Sequence, residues 1–147
     1  MTSGDLQNLY QEVVLDHSRT PHGFGLRDEI AAQSHQLNPT CGDEVTLQVH
    51  RAPDGTIEAI AWEGHGCAIS QASASMLAVL AEGLTVPELE HRIDVFREAM
   101  RSRGKIEPDE ELLGDAAALG GVSRYVARVK CAMLGWVAAE DALHKLG

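Results

Sequence analysis

The residues of this chain best suited to metal binding or sulfur chemistry are three cysteines, Cys41, Cys67 and Cys131. Cys41 lies in the segment Asn-Pro-Thr-Cys-Gly-Asp, which ends in the carboxylate of Asp43. Cys67 ends the segment Gly-His-Gly-Cys, whose two glycines allow the backbone to approach a neighbour closely. Cys131 follows Arg-Val-Lys, and nearby cations favour the thiolate form of a cysteine. If the three thiolates and Asp43 converge, they form a tetrahedral donor set that suits zinc or one corner of an iron–sulfur cluster.

Each of these residues also has a purely structural interpretation. Free cysteine is often a small buried hydrophobic residue, and this interpretation stays open for Cys131. It fits Cys41 less well, because that residue lies in a polar turn. It also fits Cys67 less well, because unpaired amides at the start of a predicted helix would meet its thiolate. Asp43 follows a glycine, as ordinary turn residues do. The separations between the cysteines match no zinc-finger pattern, so the spacing alone indicates only a candidate metal site.

The composition is that of a globular protein without a long basic or apolar segment. The chain has 147 residues, of which 44% are hydrophobic, and we predict a single domain over residues 1–147. Its 12 basic and 22 acidic residues give a formal net charge of −10, which argues against binding to nucleic acid or to anionic membranes. No segment approaches the roughly 20 apolar residues of a membrane helix, and no signal sequence is recognisable, so we expect a cytoplasmic protein. The odd number of cysteines disfavours a closed disulfide framework.

The first half of the chain predicts a helix followed by a small antiparallel sheet. Apolar residues at helical spacing predict the helix over residues 5–18. Alternating residues around 45–49 predict a strand, and an Asp-Gly turn predicts that the next strand returns beside it at 57–62. A weaker pattern places another strand near residues 30–37. The predicted fold is therefore α+β, with a sheet of about three strands packed with four to five helices.

The second half of the chain predicts helices almost throughout. Residues 68–82 are rich in alanine and serine, which predicts a helix that a neighbour can approach closely, with Val79 on its buried edge. A capping box with Thr85 as the first residue predicts the start of the next helix. A short helix is expected around 110–119, closed by two glycines, and the last helix over about 123–144.

The last helix places Cys131 beside its predicted core stripe. That stripe contains Tyr125, Val129, Ala132, Trp136 and Leu143. Cys131 shares the adjoining face with Arg124 and Arg128, at spacings of three and four residues. A cysteine next to an arginine at the edge of the core is suited to a site at the rim of the domain. His17 lies on the apolar stripe of the first helix, where a hydrogen-bonded structural histidine is the expected interpretation.

Four motifs follow one another over nearly the whole chain. They are Leu-Asp-His-Ser-Arg-Thr-Pro at 15–21, Asn-Pro-Thr-Cys-Gly-Asp at 38–43, Gly-His-Gly-Cys-Ala-Ile-Ser at 64–70 and Arg-Val-Lys-Cys at 128–131. Together they resemble the IscU/NifU-N family of iron–sulfur assembly proteins. Two features resemble its SufU branch. Lys130 stands where scaffold-type members carry a histidine before the third cysteine, and a longer segment, which would hold residues 107–121, separates the last two cysteines.

This resemblance implies a zinc-dependent sulfurtransferase that accepts sulfur from a SufS-type cysteine desulfurase and serves downstream iron–sulfur assembly proteins. It implies one zinc ion, whose ligands would be Cys41, Asp43, Cys67 and Cys131. Cys41 matches the residue that accepts sulfur. Arg128 matches an arginine near the zinc, which could stabilise a free or persulfidated thiolate, and an ordinary surface arginine is the alternative. His65 is a candidate for an outer contact or a replacement ligand.

Sulfur transfer by this ligand set requires one ligand to leave the metal. The resemblance implies that the desulfurase supplies a replacement histidine. A ligand in the bend between two strands moves more easily than one anchored in a helix, which favours Cys41 over Cys131 as the acceptor. Two alternatives stay open. One is a scaffold on which a 2Fe–2S cluster is assembled on the same ligands and handed on, and the other is a structural zinc domain.

Overall fold

The structure, a computed structural model, describes residues 12–29, 31–39 and 42–146. Helix α1 occupies residues 12–19 of the described chain. The elements that follow are β1 (Ala32–Asn38), β2 (Asp43–Arg51), β3 (Ile57–His65), α2 (Ala68–Ala81), α3 (Val86–Arg101), α4 (Glu110–Leu113), a 3-10 helix (Gly114–Arg124) and α5 (Val126–Lys145). These elements confirm the predicted α+β fold. The part of the predicted first helix before residue 12 lies outside the described residues.

The three strands pair antiparallel in the order β1–β2–β3, so the weakly predicted first strand is confirmed. The alternating residues of β2 are buried, as the pattern predicts: Val45, Leu47 and Val49. Gly55 allows the Asp-Gly turn into β3 because its φ of +91° is a left-handed conformation that favours glycine. Helix α5 packs on β1 and β2, while α2 packs on β3 and on α5. Helices α2 and α5 therefore lie side by side on the sheet.

Helix α2 is buried along most of its length because it lies between β3, α5 and the 3-10 helix. Its small side chains permit this, as the sequence predicts. Gly135 of α5 lies so close to Ala74 that an added Cβ would be 3.3 Å from the Ala74 Cβ. The prediction that Val79 is buried is wrong. Val79 is exposed because it faces an open groove beside Phe24 and is not covered by a neighbouring element.

The segment after α3 differs most from the prediction. The capping box is confirmed, since Thr85 Oγ1 accepts from the Glu88 N–H at 3.2 Å and the Glu88 carboxylate accepts from the Thr85 N–H at 3.0 Å. The short helix α4, however, ends at Leu113, because Gly114 takes a left-handed φ of +56°. A 3-10 helix then continues through the glycine pair that was expected to end the helix.

The last helix begins three residues later than predicted, at Val126. Tyr125 precedes it with an extended backbone, at φ −119° and ψ 98°. The prediction that Tyr125 belongs to the core stripe is therefore wrong, and its side chain is 64% exposed. Trp136, in contrast, is buried as predicted and stacks on Phe96 of α3.

His17 connects α1 to the rest of the protein. Its Nδ1 lies 2.7 Å from Ser75 Oγ of α2, and its Nε2 lies 2.8 Å from Asp115 Oδ2 of the 3-10 helix. The ring is buried, so the expectation of a hydrogen-bonded structural histidine is confirmed. Among the described residues, no helix is long and apolar enough to cross a membrane.

Candidate metal centre

Three potential ligands from three different elements meet at one end of the sheet. Asp43 is the first residue of β2, Cys67 occupies the N-cap position of α2, and Cys131 lies in the second turn of α5. One donor atom from each residue lies within 4.8 Å of the other two. The sequence separations are large, so this convergence depends on the packing of α2 and α5 against the sheet. The expectation that Asp43, Cys67 and Cys131 come together is confirmed. Their binding of a metal ion stays a prediction.

Asp43 and Cys67 are in direct contact. The backbone N–H of Cys67 donates to Asp43 Oδ1 at 3.2 Å, and Cys67 Sγ lies 3.7 Å from Asp43 Oδ2. Asp43 is only 3% exposed. A buried carboxylate needs charged or hydrogen-bonding partners, because leaving water is costly for an ion. The backbone of Cys67 supplies one such partner, and the cysteine sulfurs border the same carboxylate.

Gly66 makes this contact between β2 and the start of α2 possible. A Cβ added at Gly66 would lie 2.6 Å from Asp43 Oδ1 and 2.6 Å from Ser70 Oγ, closer than real Cβ atoms approach other atoms. The chain before Cys67 can therefore pass over the Asp43 carboxylate only if residue 66 has no side chain. The interpretation that a glycine permits close approach here is confirmed, and the neighbour it admits is Asp43.

Cys131 is more deeply buried than the sequence pattern indicates. It is 3% exposed, and its Sγ lies 3.7 Å from the carbonyl oxygen of Ala127, one turn earlier. Arg124 and Arg128 are exposed, so the face that the sequence assigns to all three residues is divided between interior and solvent. The thiol therefore reaches the group from inside the molecule, whereas both arginines are exposed to solvent.

The end of the 3-10 helix and the start of α5 are exposed and basic. Arg124, Arg128 and Lys130 are all exposed, as are the side chains of Tyr125 and Val126. These three positive charges contrast with the chain's net charge of −10. They precede Cys131 in the sequence by one to seven residues. The role of Arg128 near a sulfur atom stays a prediction.

Cys41 lies outside the described residues, together with Thr40. The described residues on either side are connected by a hydrogen bond of 2.8 Å from the Gly42 N–H to the Asn38 carbonyl. Asn38 and Asp43 are paired across β1 and β2. The assignment of Cys41 as a ligand and as the sulfur acceptor therefore stays a prediction.

His65 belongs to a second group, which we call the outer cluster: His35, Glu44 and His65. His65 Nε2 lies 3.0 Å from Glu44 Oε1, and His35 Nε2 lies 2.6 Å from Glu44 Oε2. The hydrogen bond from His35 is the main cause that holds the pKa of Glu44 below its usual value. The His65 side chain is 73% exposed, and within the described residues it is not part of the group formed by Asp43 and the two cysteines.

Two serines of α2 contribute to the site although the sequence analysis did not single them out. Ser70 Oγ donates to the carbonyl of Cys67 at 3.0 Å, which fixes the first turn of the helix beside the ligand. Ser73 Oγ donates to the carbonyl of Ala132, the residue after Cys131. The sequence feature that could have identified them is their spacing of three and six residues after Cys67, because residues three apart lie on one side of a helix.

Comparison with known proteins identifies relatives over nearly the full chain. The family described as NifU-like N-terminal domain matches residues 9–144. The iron–sulfur cluster assembly scaffold protein IscU of Streptococcus pyogenes serotype M1 is 39% identical over 146 residues, which is 99% of this chain and 89% of the relative. The zinc-dependent sulfurtransferase SufU of Bacillus subtilis strain 168 is 38% identical over 144 residues, which is 97% of this chain and 95% of the relative.

A solved structure shares the fold. It is described as a candidate iron–sulfur cluster assembly scaffold protein for the SUF system from Fervidobacterium islandicum AW-1. Its TM-score is 0.77 at 34% identity, covering 90% of this chain and 94% of that one. A scaffold and a sulfurtransferase are thus matched almost equally well. The comparison therefore establishes the family but does not distinguish between these two activities. This chain belongs to the NifU-like N-terminal domain family of IscU- and SufU-related iron–sulfur cluster assembly proteins.

Proposed function

We propose that this protein is a zinc-dependent sulfurtransferase that accepts persulfide sulfur from a SufS-type cysteine desulfurase for iron–sulfur cluster assembly. The observation that carries the proposal is the close grouping of Asp43, Cys67 and Cys131, with donor atoms that all lie within 4.8 Å of one another. The 38% identity with the Bacillus subtilis sulfurtransferase supports the same activity.

The donor distances suit one metal ion. With zinc–sulfur bonds of about 2.3 Å and zinc–oxygen bonds of about 2.0 Å, tetrahedral geometry separates a sulfur and an oxygen ligand by about 3.5 Å. The Cys67 Sγ to Asp43 Oδ2 distance of 3.7 Å is close to that value. In a cluster with two irons, the ligands divide between the two metals and are separated by the cluster core. Three donors grouped around one point therefore favour a single ion.

The proposed ligands of the zinc are Cys41, Asp43, Cys67 and Cys131. Bound zinc would hold the cysteine sulfurs as thiolates and lower their reactivity until a ligand is released. Cys41 is two residues from Asp43 in the chain, which makes it the natural fourth ligand. Asp43 and Cys131 are buried, whereas Cys41 belongs to the connection between β1 and β2. We therefore assign the release, and the sulfur transfer, to Cys41.

The transfer is a thiol exchange. The Cys41 thiolate attacks the outer sulfur of the desulfurase persulfide, so that a sulfur–sulfur bond forms on Cys41 while the desulfurase sulfur–sulfur bond breaks. The desulfurase cysteine leaves as a thiolate, and the persulfide proton stays on the transferred sulfur. Arg128, exposed on the basic start of α5, would stabilise the negative charge on Cys41. Lys130 is also exposed, at the position where the family resemblance implies a histidine in scaffold-type members.

The alternative function is a scaffold for a 2Fe–2S cluster. It is supported by the 39% identity with the Streptococcus pyogenes scaffold protein and by the same set of candidate ligands. The two functions predict different products. A scaffold retains a cluster that can be isolated and transferred, whereas a sulfurtransferase increases the turnover of its desulfurase.

The deciding experiment measures alanine release by the desulfurase of the same organism, with and without the zinc-loaded protein. We expect a large increase in turnover that is lost in Cys41→Ala. The matched control is His91→Ala, which removes an exposed imidazole of α3, a helix that carries none of the proposed ligands, and should keep the stimulation. Unchanged turnover with the wild-type protein would contradict the sulfurtransferase. A stable, transferable cluster after anaerobic reconstitution with iron and sulfide would then support the scaffold.

A further inference from the structure

Two of the proposed metal ligands lie on different helices, so the relative position of α2 and α5 determines the distance between them. Cys67 occupies the N-cap position of α2, and Cys131 lies in the second turn of α5. Both helices are held mainly by apolar packing, which resists separation but provides few directional contacts. A hydrogen bond between the two helices would also oppose the rotation or sliding of one against the other.

Ser73 makes such a contact with two groups of α5. Its hydroxyl donates to the carbonyl of Ala132 at 2.6 Å and accepts from the indole N–H of Trp136 at 2.8 Å. Ser73, Ala132 and Trp136 are all fully buried. A hydroxyl can donate one hydrogen bond and accept others, so one short side chain joins two consecutive turns of α5.

The partners of Ser73 are themselves held in place. The Trp136 ring stacks on Phe96 of α3, with ring centres 4.0 Å apart and planes inclined by 14°. This stacking fixes the direction of the indole N–H. The close approach of Gly135 to Ala74, beside the contact, brings the backbone of α5 within reach of a serine hydroxyl. A longer side chain at either position would move the helices apart.

We propose that Ser73 is a positioning residue that sets the distance between Cys67 and Cys131 in the metal centre. The inference rests on the metal ligands of the proposed function. Ser73 is six residues from Cys67 within one continuous helix, and Ala132 is the direct neighbour of Cys131. A rotation or sliding of α5 against α2 would therefore change the distance between the Cys67 and Cys131 sulfur atoms. The hydrogen bonds of Ser73 prevent that movement.

The test compares the zinc affinity of Ser73→Ala with that of the wild-type protein, by competition with a chromophoric chelator. Outer contacts that orient metal ligands change metal affinity by roughly 10- to 100-fold, and we expect a loss of about 10-fold here. The absorption of the cobalt-substituted protein gives a second readout, since a changed ligand geometry shifts the cobalt bands. Trp136→Phe keeps the hydrogen bond to Ala132 and removes only the indole donor, so its loss should be smaller.

The matched control is Ser123→Ala. Ser123 is as buried as Ser73 and donates to a carbonyl at 2.7 Å, but that carbonyl belongs to Gly120 of its own 3-10 helix. A general loss of stability would appear in both alanine variants, whereas a positioning effect lowers zinc affinity only when the Ser73 contact is lost. Equal affinity and an unchanged cobalt spectrum in Ser73→Ala would overturn the proposal. If Ser73→Ala does not fold, an unchanged zinc affinity in Trp136→Phe would overturn the proposal.

Failure of the proposed function is a separate result. Zinc binding without stimulation of the desulfurase would contradict the sulfurtransferase but would leave the comparison of zinc affinities valid.

Discussion

Neighbouring carboxylates on β2, Asp43 and Glu44, belong to two different clusters. Asp43 forms the inner cluster with Cys67 and Cys131. Glu44 forms the outer cluster with His35 and His65. Successive residues of a strand point to opposite faces, so one position along the chain moves a carboxylate from the packed side of the sheet to the solvent side. Similar residues therefore meet different surroundings within a few ångströms.

The difference shows what makes a group of ligand-type residues a metal site. In the outer cluster each imidazole already hydrogen-bonds the carboxylate, and water can reach all three side chains. In the inner cluster two soft sulfur donors and a buried carboxylate are held by separate, well-packed elements. Thiolates favour zinc, and buried negative charges are costly unless a cation compensates them. We therefore expect zinc to bind the inner cluster and to leave the outer cluster unchanged.

The largest expected effect is that of zinc removal on thermal stability. A ligand present at a thousand times its dissociation constant stabilises the folded state by about 4 kcal/mol. For a protein of this size that corresponds to a shift of roughly 10 °C in melting temperature, at about 2–4 °C per kcal/mol. Calorimetry of the zinc-loaded and the chelator-treated protein measures the shift. Glu44→Gln should show the same shift, and a reduced one would place the stabilising ion in the outer cluster.

The adjacent carboxylates provide the next comparison. Asp43→Asn keeps an acceptor for the Cys67 N–H but removes the negative ligand, so zinc affinity should fall by about 100-fold, the upper range for changes around a metal site. Glu44→Gln makes the same chemical change one residue later and should alter the affinity by less than about twofold. Competition with a chelator measures both constants. Equal affinities for the two variants would remove Asp43 from the ligand set.

A third comparison tests the close approach at Gly66. Gly66→Ala places a Cβ 2.6 Å from Asp43 Oδ1, so the carboxylate or the start of α2 must move. We expect zinc affinity to fall by about 10-fold, as it does when the orientation of a ligand is disturbed. Gly121→Ala is the matched control, because nothing lies within 4 Å of a Cβ at that position. A zinc affinity equal to that of the control would show that the site tolerates the displacement.

The smallest effect concerns the outer cluster alone. The pKa of Glu44 lies below its usual value chiefly because His35 hydrogen-bonds its carboxylate. His35→Ala should therefore raise the pKa of Glu44, and the carboxyl carbon shift in an NMR titration of the zinc-free protein measures it. Because the folded-state pKa is lowered, the contribution of Glu44 to stability is present above the unfolded pKa and is lost as the pH falls through the folded value. A larger rise of the Glu44 pKa in His65→Ala than in His35→Ala would show that His65, rather than His35, is the main cause of the lowered value.

Local patterns in the sequence predicted much of the fold. The alternation in β2, the Asp-Gly turn and the Thr85 capping box all depend on a few neighbouring residues, and the structure confirms each of them. The errors at Val79 and Tyr125 have a different origin. A helical stripe does not show where a helix begins or which of its sides a neighbour covers, because both depend on contacts with distant residues.

The sequence by itself determined the types of donor and their identity: a carboxylate at Asp43 and thiols at Cys67 and Cys131, in motifs that resemble one family. Only the tertiary structure decided that these donors meet and that Glu44 remains outside the group. It also decided that Cys131 approaches from the interior and that Ser73 joins the two helices. The physical reason is that side-chain chemistry and periodicity are local properties. Convergence over 24 residues between Asp43 and Cys67, and over 59 between Ser73 and Ala132, results from the packing of whole elements.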